Sequence, residues 1–226
     1  MAKKLIRRKL LPYLVILIFI ACGRGGEDSV NDVFRQYPGR YILYVSKSNF
    51  TLTVYEKGRG AVISYKTGFG SNEDMLPKLY EGDNRTPEGV YQINEILSMD
   101  SAKETESYRK LEKMNEHYFK KSGGYHKFAK PDEDLGDNAY GPRYYGINYP
   151  NNNDIKRYTE ALQKGDIPSV NGSPARQGSG IAIHGNNDEE SIGHLCSSGC
   201  MRMYNNDIVA IEKYITLGTP VIIGRD

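Results

Sequence analysis

A histidine and a cysteine near the end of the chain have the chemistry of a nucleophile and its base. His184 ends a short apolar run, and Cys200 follows sixteen residues later, behind small residues. A cysteine attacks as its thiolate, which a neighbouring base or positive charge helps to form. A histidine has an ordinary pKa of about 6.5 and suits that role near neutral pH. The two residues predict nucleophilic catalysis by Cys200 with His184 as the base.

The residues around the cysteine are suited to holding a substrate and a developing negative charge. Gly199 lets the backbone approach a substrate closely, and consecutive N–H groups at Gly199 and Cys200 can bind an oxyanion. Arg202 is near enough in sequence to bind a carboxylate or to brace the loop. We therefore predict that substrate and oxyanion contacts come from this segment. The candidate residues are Ser197, Ser198, Gly199 and Arg202.

The same region contains residue types that bind zinc, namely His184, His194, Cys196 and Cys200. Their spacing lacks the Cys-x-x-Cys pairs of structural zinc sites. We therefore predict no metal and no other cofactor.

Cys196 lies four positions before the predicted nucleophile. In an oxidising compartment a Cys196–Cys200 disulfide would block the nucleophile and make the pair a redox switch. The alternative is that Cys196 packs in its loop as a small apolar residue. Two free thiols under oxidising glutathione would contradict the switch.

Strand and helix patterns predict the elements that position this site. Residues 180–184 form a short apolar strand that ends at the histidine. A helix is predicted between an asparagine cap, Asn205 or Asn206, and a stop at Gly218. A closing strand follows at 219–223. Four further strands are predicted in the first half of the chain, at 40–45, 51–55, 61–67 and 90–96.

The middle of the chain differs in character. Residues 101–121 are charged and aromatic without Pro or Gly and predict a surface helix. Residues 122–153 are rich in Gly, Pro, Asn and Asp and predict a long loop, and 154–164 predict a short helix ended by Gly165. We expect residues 97–178 as a whole to be an insertion or lid.

The motif around the cysteine resembles that of the YkuD-type L,D-transpeptidase catalytic domain. The matching stretches are His184-Gly185, Ile192-Gly193, residues 197–203 (SSGCMRM), Asn206-Asp207 and residues 218–221 (GTPV). Residues 86–91 (TPEGVY) resemble the turn and strand of that family, so the similarity covers about 40–96 and 179–226. Within the middle segment, residues 146–151 (GINYPN) and Asp154 resemble the YafK-like branch.

The resemblance implies a mainly β fold with a few helices, a YkuD-like β-sandwich with a helical or loop insertion. It implies Cys200 as the nucleophile, His184 as its base and the Gly185 carbonyl as the group that orients the histidine ring. Motif positions are also matched by Ser197, Gly199 and Arg202. Most family members have a histidine where this chain has Ser198, which leaves open how that position takes part in substrate orientation or oxyanion donation.

The resemblance also implies the function, a peptidoglycan L,D-transpeptidase that forms an acyl-enzyme on stem peptides. The amine of a second stem would resolve the thioester. One alternative is an L,D-carboxypeptidase or a peptidase that cleaves protein–peptidoglycan links. Another is a non-catalytic peptidoglycan-binding lipoprotein. Ser198 favours the binding protein, whereas the presence of His184, Cys200 and Arg202 argues against it.

The first 22 residues predict export. A basic stretch precedes the apolar run at 10–21, which is too short for an ordinary membrane span. Ala21 directly before Cys22 resembles a bacterial lipoprotein signal, in which the cysteine is acylated. The alternatives are a signal anchor or cleavage elsewhere. We expect a protein of the cell envelope or periplasm, held at the membrane by lipidated Cys22.

The rest of the chain is predicted to hold a tether over 23–38 and one catalytic domain over 39–226. The chain of 226 residues is 38% hydrophobic and 26% charged, which suits one globular domain with a short extension. Residues 1–21 carry five basic residues and no acid. Without them, 25 basic residues face 28 acidic ones, and the formal charge changes from +2 to −3. We therefore predict no nucleic-acid partner.

Overall fold

The protein is mostly β-structure in the computed structural model, which describes residues 26–225. The strands of that part are β1 (Tyr41–Ser46), β2 (Thr51–Glu56), β3 (Gly60–Lys66), β4 (Phe69–Gly70), β5 (Gly89–Ser98), β6 (His126–Lys127), β7 (Lys130–Asp134), β8 (Arg143–Ile147), β9 (Ser169–Val170), β10 (Ser173–Pro174), β11 (Ala182–His184), β12 (Leu195–Ser197), β13 (Met201–Arg202) and β14 (Pro220–Gly224). The α-helices there are α1 (Gly26–Gln36), α2 (Glu106–Asn115), α3 (Asn152–Lys164) and α4 (Asn205–Ala210). The predicted signal and Cys22 lie outside the described residues.

A single curled sheet is the centre of the fold. Eight of the strands described in residues 26–225 form it, in the order β13-β11-β8-β5-β14-β1-β2-β3. The long strand β5 joins its two halves, because the beginning of β5 pairs with β14 and the remainder pairs with β8. The register of the second pairing shifts between Ile93 and Glu95, a bulge of the kind that bends a strand. The predicted mainly β fold with a few helices is confirmed, and the layers of the expected sandwich are the two halves of this sheet.

The main core lies between these halves. Leu43 and Val54 from one half belong to the same buried cluster as Tyr145 and Ile183 from the other, and Ile208 of α4 packs onto it. Each of these side chains is fully buried. Burial of one such side chain contributes about 1.5–3 kcal/mol, so this cluster holds the two halves of the sheet together.

The predicted tether is corrected over most of its length, because residues Gly26–Gln36 form α1. Val30, Val33 and Phe34 share one face of this helix and are buried. They pack against the outer face of the sheet, on Ile42, Tyr44 and Ile222. The spacing of these three apolar residues places them on one face of a helix. The segment was predicted as a tether because its other residues are mostly polar or small.

The expectation that residues 97–178 form an insertion is also corrected. The strand Arg143–Ile147 lies inside this segment and is buried along its whole length, between β5 and β11 in the sheet. Its sequence, RYYGI, contains an arginine and a glycine and lies among turn-forming residues, so it lacks the usual alternation of a strand. The Arg143 guanidinium is paired with Asp100 and Glu212, which makes its burial tolerable. The segment is therefore part of the domain, because β5 also extends into it as far as Ser98 and Tyr149 belongs to the main core cluster.

The helix predicted after this strand is confirmed. Asn151 caps α3 by accepting hydrogen bonds from the backbone N–H groups of Asn153 and Asp154, and Gly165 ends it in the left-handed conformation at φ 78°. The surface helix predicted over 101–121 is shorter, since α2 spans Glu106–Asn115.

The helix α4 begins differently from the prediction. It follows Tyr204 and has no side-chain cap. Asn205 does not cap the helix, because its side-chain oxygen accepts from the Asn186 N–H at 2.9 Å in the loop after His184. Among the helices described in residues 26–225, none has the length and apolar character needed to cross a membrane.

Candidate active site

Two neighbouring parallel strands position the predicted nucleophile and base. β11 pairs with β13, with Ile183 opposite Met201 and His184 opposite Arg202. Side chains alternate along a strand, so when Ile183 and Met201 enter the core their neighbours face the other way. His184 and Arg202 therefore lie on one face of the sheet, and Cys200 lies there directly before β13.

This face borders a cavity of about 860 Å³. The predicted site residues that line it are His184, Ser197, Ser198, Cys200 and Arg202. The structure thus brings together side chains that the sequence separates. The roles predicted for Gly185 and Gly199 involve their backbone groups, and the cavity lining does not include these two residues.

The His184 side chain is neutral and held in one orientation. Its Nδ1 lies 2.5 Å from the carbonyl oxygen of Gly185. A carbonyl only accepts, so Nδ1 carries the proton and Nε2 has the free lone pair. The residue is only 3% exposed, and this burial, together with the charge of Arg202, lowers the pKa of His184 to about 3. The imidazole is therefore ready to accept a proton.

The Cys200 thiol is neutral as well. Burial raises its pKa, although the Ala182 N–H and the charge of Arg202 oppose that effect. The sulfur lies 3.6 Å from the carbonyl oxygen of Gly180, to which the thiol donates. In the described part of the chain no hydrogen bond joins the Cys200 thiol to His184. The pair in this structure is a thiol and a neutral imidazole, and the thiol donates to Gly180 and not to His184.

The backbone around the cysteine is fixed by Ser197. Its hydroxyl donates to the Cys200 carbonyl oxygen at 2.6 Å and accepts from the Gly199 N–H at 3.1 Å. The Gly199 N–H, which was predicted to bind the oxyanion, thus already has an acceptor within the protein. Across residues 26–225 nothing accepts from the Cys200 N–H, which leaves that group for a substrate.

Gly199 has a conformation that only glycine adopts readily. Its φ is 139°, and a Cβ atom built there would lie 2.7 Å from the carbonyl oxygen of Arg85. The loop before Cys200 is therefore pressed against the segment that precedes β5. A side chain at this position would push the two segments apart.

Arg202 is a buried cation with an unused donor. It is 9% exposed, and its Nε has no hydrogen-bond partner in the described structure. Its backbone is fixed, because its N–H and carbonyl oxygen both pair with Gly68. A buried guanidinium usually has an anionic partner, and here the cavity is where one would bind.

Cys196 and Cys200 are both free thiols in this structure. Cys196 packs closely against Gly68, and burial raises its pKa. This packing fits the alternative of a small apolar residue, and the redox switch stays a prediction. In residues 26–225 no group of three or more His, Cys, Asp or Glu side chains is arranged to hold a metal ion.

Two tyrosines that the sequence did not single out flank the histidine. The ring of Tyr144 is stacked on His184, with centroids 6.1 Å apart, and the Tyr140 ring lies at 5.1 Å. Tyr144 belongs to β8, the strand that the sequence analysis missed. The aromatic cluster YGPRYYG at 140–146 was the available signal. These rings bury the imidazole and so help to keep it neutral.

A family model matches most of the chain. Residues 40–223 match the YkuD model, described as the L,D-transpeptidase catalytic domain. The match covers most of the chain, and the chain therefore belongs to the YkuD L,D-transpeptidase catalytic domain family.

Individual relatives are similar over shorter stretches. The chain is 48% identical over 44 residues to "Putative L,D-transpeptidase YqjB" of Bacillus subtilis (strain 168), which is 20% of this chain and 25% of that protein. It is 44% identical over 43 residues to "Putative L,D-transpeptidase YkuD" of the same organism, 19% of this chain and 26% of that one. These matches span about a quarter of each curated relative.

A solved structure is similar in fold. The helical cell shape determining protein Pgp2 from Campylobacter jejuni has a TM-score of 0.50 and 20% identity, over 83% of this chain and 48% of that one. The chain thus spans about half of the Pgp2 structure, and the likeness concerns the fold.

Proposed function

We propose that this protein is a peptidoglycan L,D-transpeptidase that forms a covalent acyl-enzyme at Cys200. One observation carries the proposal: in a YkuD domain, His184 at the end of β11 and Cys200 directly before the adjacent parallel strand β13 line one cavity. The proposed donor is a peptidoglycan stem whose third residue, a diamino acid, is followed by D-Ala.

The first step is attack of the sulfur on the carbonyl carbon between the third residue and D-Ala. Because both side chains start neutral, the Cys200 proton passes to Nε2 of His184 as the new S–C bond forms. The imidazolium that results is oriented by the Gly185 carbonyl. The Cys200 N–H stabilises the oxyanion of the tetrahedral intermediate, a contact that typically contributes about 3 kcal/mol.

The second step breaks the C–N bond to D-Ala. The imidazolium gives its proton to the departing amine, and a thioester at Cys200 remains. The amine of a second stem then attacks the thioester, loses its proton to His184 and restores the thiol. Water in place of that amine gives a trimmed peptide, which is the product of a carboxypeptidase.

Arg202 supplies the anchor for the donor in this proposal. Its unused Nε and its burial favour a carboxylate over a neutral group. A stem peptide carries carboxylates near the bond to be cleaved. Ser198 is exposed in the cavity wall, where most relatives have a histidine, and it leaves more room on that side.

The proposed setting is the cell envelope, with Cys22 acylated and residues 1–22 acting as an export signal. The support is the sequence pattern itself, since these residues lie outside the described structure. A substrate in peptidoglycan requires that the domain be exported.

The proposal is tested by intact-mass measurement of the reduced domain mixed with a tetrapeptide-stem muropeptide. We expect an adduct at Cys200 with release of D-Ala, and none with Cys200→Ala. Cys196→Ala is the matched control, because it also removes a thiol and should keep the adduct. Full turnover by Cys200→Ala would contradict the mechanism, and a trimmed stem without a cross-link would identify a carboxypeptidase.

A further inference from the structure

Thr86 touches the nucleophile loop although it lies far from it in sequence. Its hydroxyl donates to the carbonyl oxygen of Gly199 at 2.9 Å and accepts from the N–H of Gly70 at 2.9 Å. Thr86 is only 2% exposed and does not line the cavity. The Thr86 hydroxyl therefore donates to the loop before Cys200 and accepts from the segment that contains Gly70.

The bond to Gly199 determines the direction of another group. The Gly199 carbonyl and the Cys200 N–H belong to the same peptide unit, which is planar and trans. They point to opposite sides of the chain. Fixing the carbonyl oxygen therefore also fixes the N–H, which is the group left free for an oxyanion.

This peptide unit needs such a restraint. Gly199 has no side chain, so its backbone has more freedom than that of any other residue type. Ser197 holds the Gly199 N–H and the Cys200 carbonyl, which belong to the preceding and following peptide units. Thr86 holds the unit between them.

Thr86 itself is anchored well enough to act as a restraint. Pro87 restricts its backbone to extended conformations. Three residues earlier along this segment, the buried carboxylate of Asp83 is paired with Lys78 at 2.7 Å and accepts from the Arg85 N–H at 3.0 Å. Gly70 allows the close approach, because a Cβ there would lie 2.8 Å from the Thr86 nitrogen.

We propose that Thr86 is a positioning residue for acyl transfer, which aims the Cys200 N–H at the oxyanion by holding the Gly199 carbonyl. The proposal rests on the proposed function, since it requires that Cys200 be the group acylated. It assigns Thr86 no contact with the substrate and no part in proton transfer.

Two reactions of the Cys200 thiol can distinguish a role in oxyanion binding from a role in stabilising the fold. p-Nitrophenyl acetate acylates a thiol through a tetrahedral oxyanion and releases p-nitrophenol. Iodoacetamide alkylates a thiol by displacement of iodide, with no oxyanion. A residue that serves the oxyanion should affect only the first reaction.

The test compares both rates in full-length protein with Cys22→Ala and Cys196→Ala as background, so that Cys200 is the remaining cysteine of the sequence. We expect Thr86→Val to slow acylation roughly 10- to 100-fold, less than loss of an entire oxyanion donor, and to leave alkylation unchanged. Thr86→Ser keeps the hydroxyl and should restore acylation. With a stem peptide, kcat should fall and KM should stay constant, because the oxyanion forms only in the transition state.

Thr53→Val is the matched control, since Thr53 also donates or accepts through its hydroxyl, to Ser64 at 2.7 Å, on the exposed side of the sheet. If the valine variant fails to fold, Thr86→Ala, which adds no bulk, must show the same selective loss. Equal slowing of both reactions, or slowing of neither, would overturn the proposal. If wild-type Cys200 is alkylated but never acylated, the proposed function itself is wrong.

Discussion

At the scale of single residues, burial of His184 and partial burial of Cys200 keep this pair neutral. His184 has a pKa of about 3 in the folded protein, well below its ordinary value, and the pKa of Cys200 is raised. The lowered pKa means that folding disfavours protonated His184. Its contribution to stability is therefore fully present above the unfolded pKa of about 6.5 and is lost as the pH falls from there toward 3.

The lowered pKa of His184 predicts how the stability of the fold depends on pH. Between pH 7.5 and 5, His184 alone should lower the free energy of unfolding by about 2 kcal/mol, and His184→Gln should remove that part of the loss. Urea denaturation at the two pH values measures it. An unchanged pH dependence in His184→Gln would show that His184 is not held neutral by the fold.

The residue types around Cys200 were predictable from the sequence. Which of their backbone groups already have hydrogen-bond partners was not. The spacing and motif gave His184, Cys200 and Arg202, and all three line one cavity. The sequence could not tell that the Gly199 N–H is already bonded to Ser197, because that depends on the path of the loop. Thr86 is a similar case, since a bond between distant segments leaves no local pattern.

At the scale of elements, strands with alternating apolar and polar residues were predicted correctly. The composition of the segments that contain β8 and α1 did not predict these two elements. β2 has a regular alternation of buried and half-buried residues, which a sequence displays directly. β8 is buried on both faces and contains a charged residue, so its pattern is absent. α1 was missed for a related reason, since only three apolar residues among polar ones define its buried face.

The packing of α1 gives a test of whether it belongs to the domain. Phe34 is buried against the outer face of the sheet, so Phe34→Ala should lower the free energy of unfolding by about 3 kcal/mol. Gln36→Ala, at an exposed position of the same helix, should change it little. Urea denaturation of both variants measures the difference. Equal stabilities would mean that this segment is a tether, as the composition suggested.

At the scale of the whole molecule, the order of the strands in the sheet differs from their order in the chain. β14 was predicted as a closing strand, and its residue range was nearly correct. Its neighbours could not be predicted, because the pattern of one segment does not identify its partners. β14 lies between β5 and β1, parallel to β1, and so connects β5, the strand that joins the two halves of the sheet, to the half with α1.

This central position makes β14 necessary for folding. Its residues Val221, Ile222 and Ile223 are buried, and each contributes about 1.5–3 kcal/mol in addition to two ladders of hydrogen bonds. That sum is comparable to the entire stability of an ordinary domain. We expect removal of residues 219–226 to abolish cooperative unfolding and near-ultraviolet circular dichroism, whereas removal of 225–226 should preserve both. Cooperative unfolding of the longer truncation would mean that one half of the sheet folds alone, and that the halves meet only after each has formed.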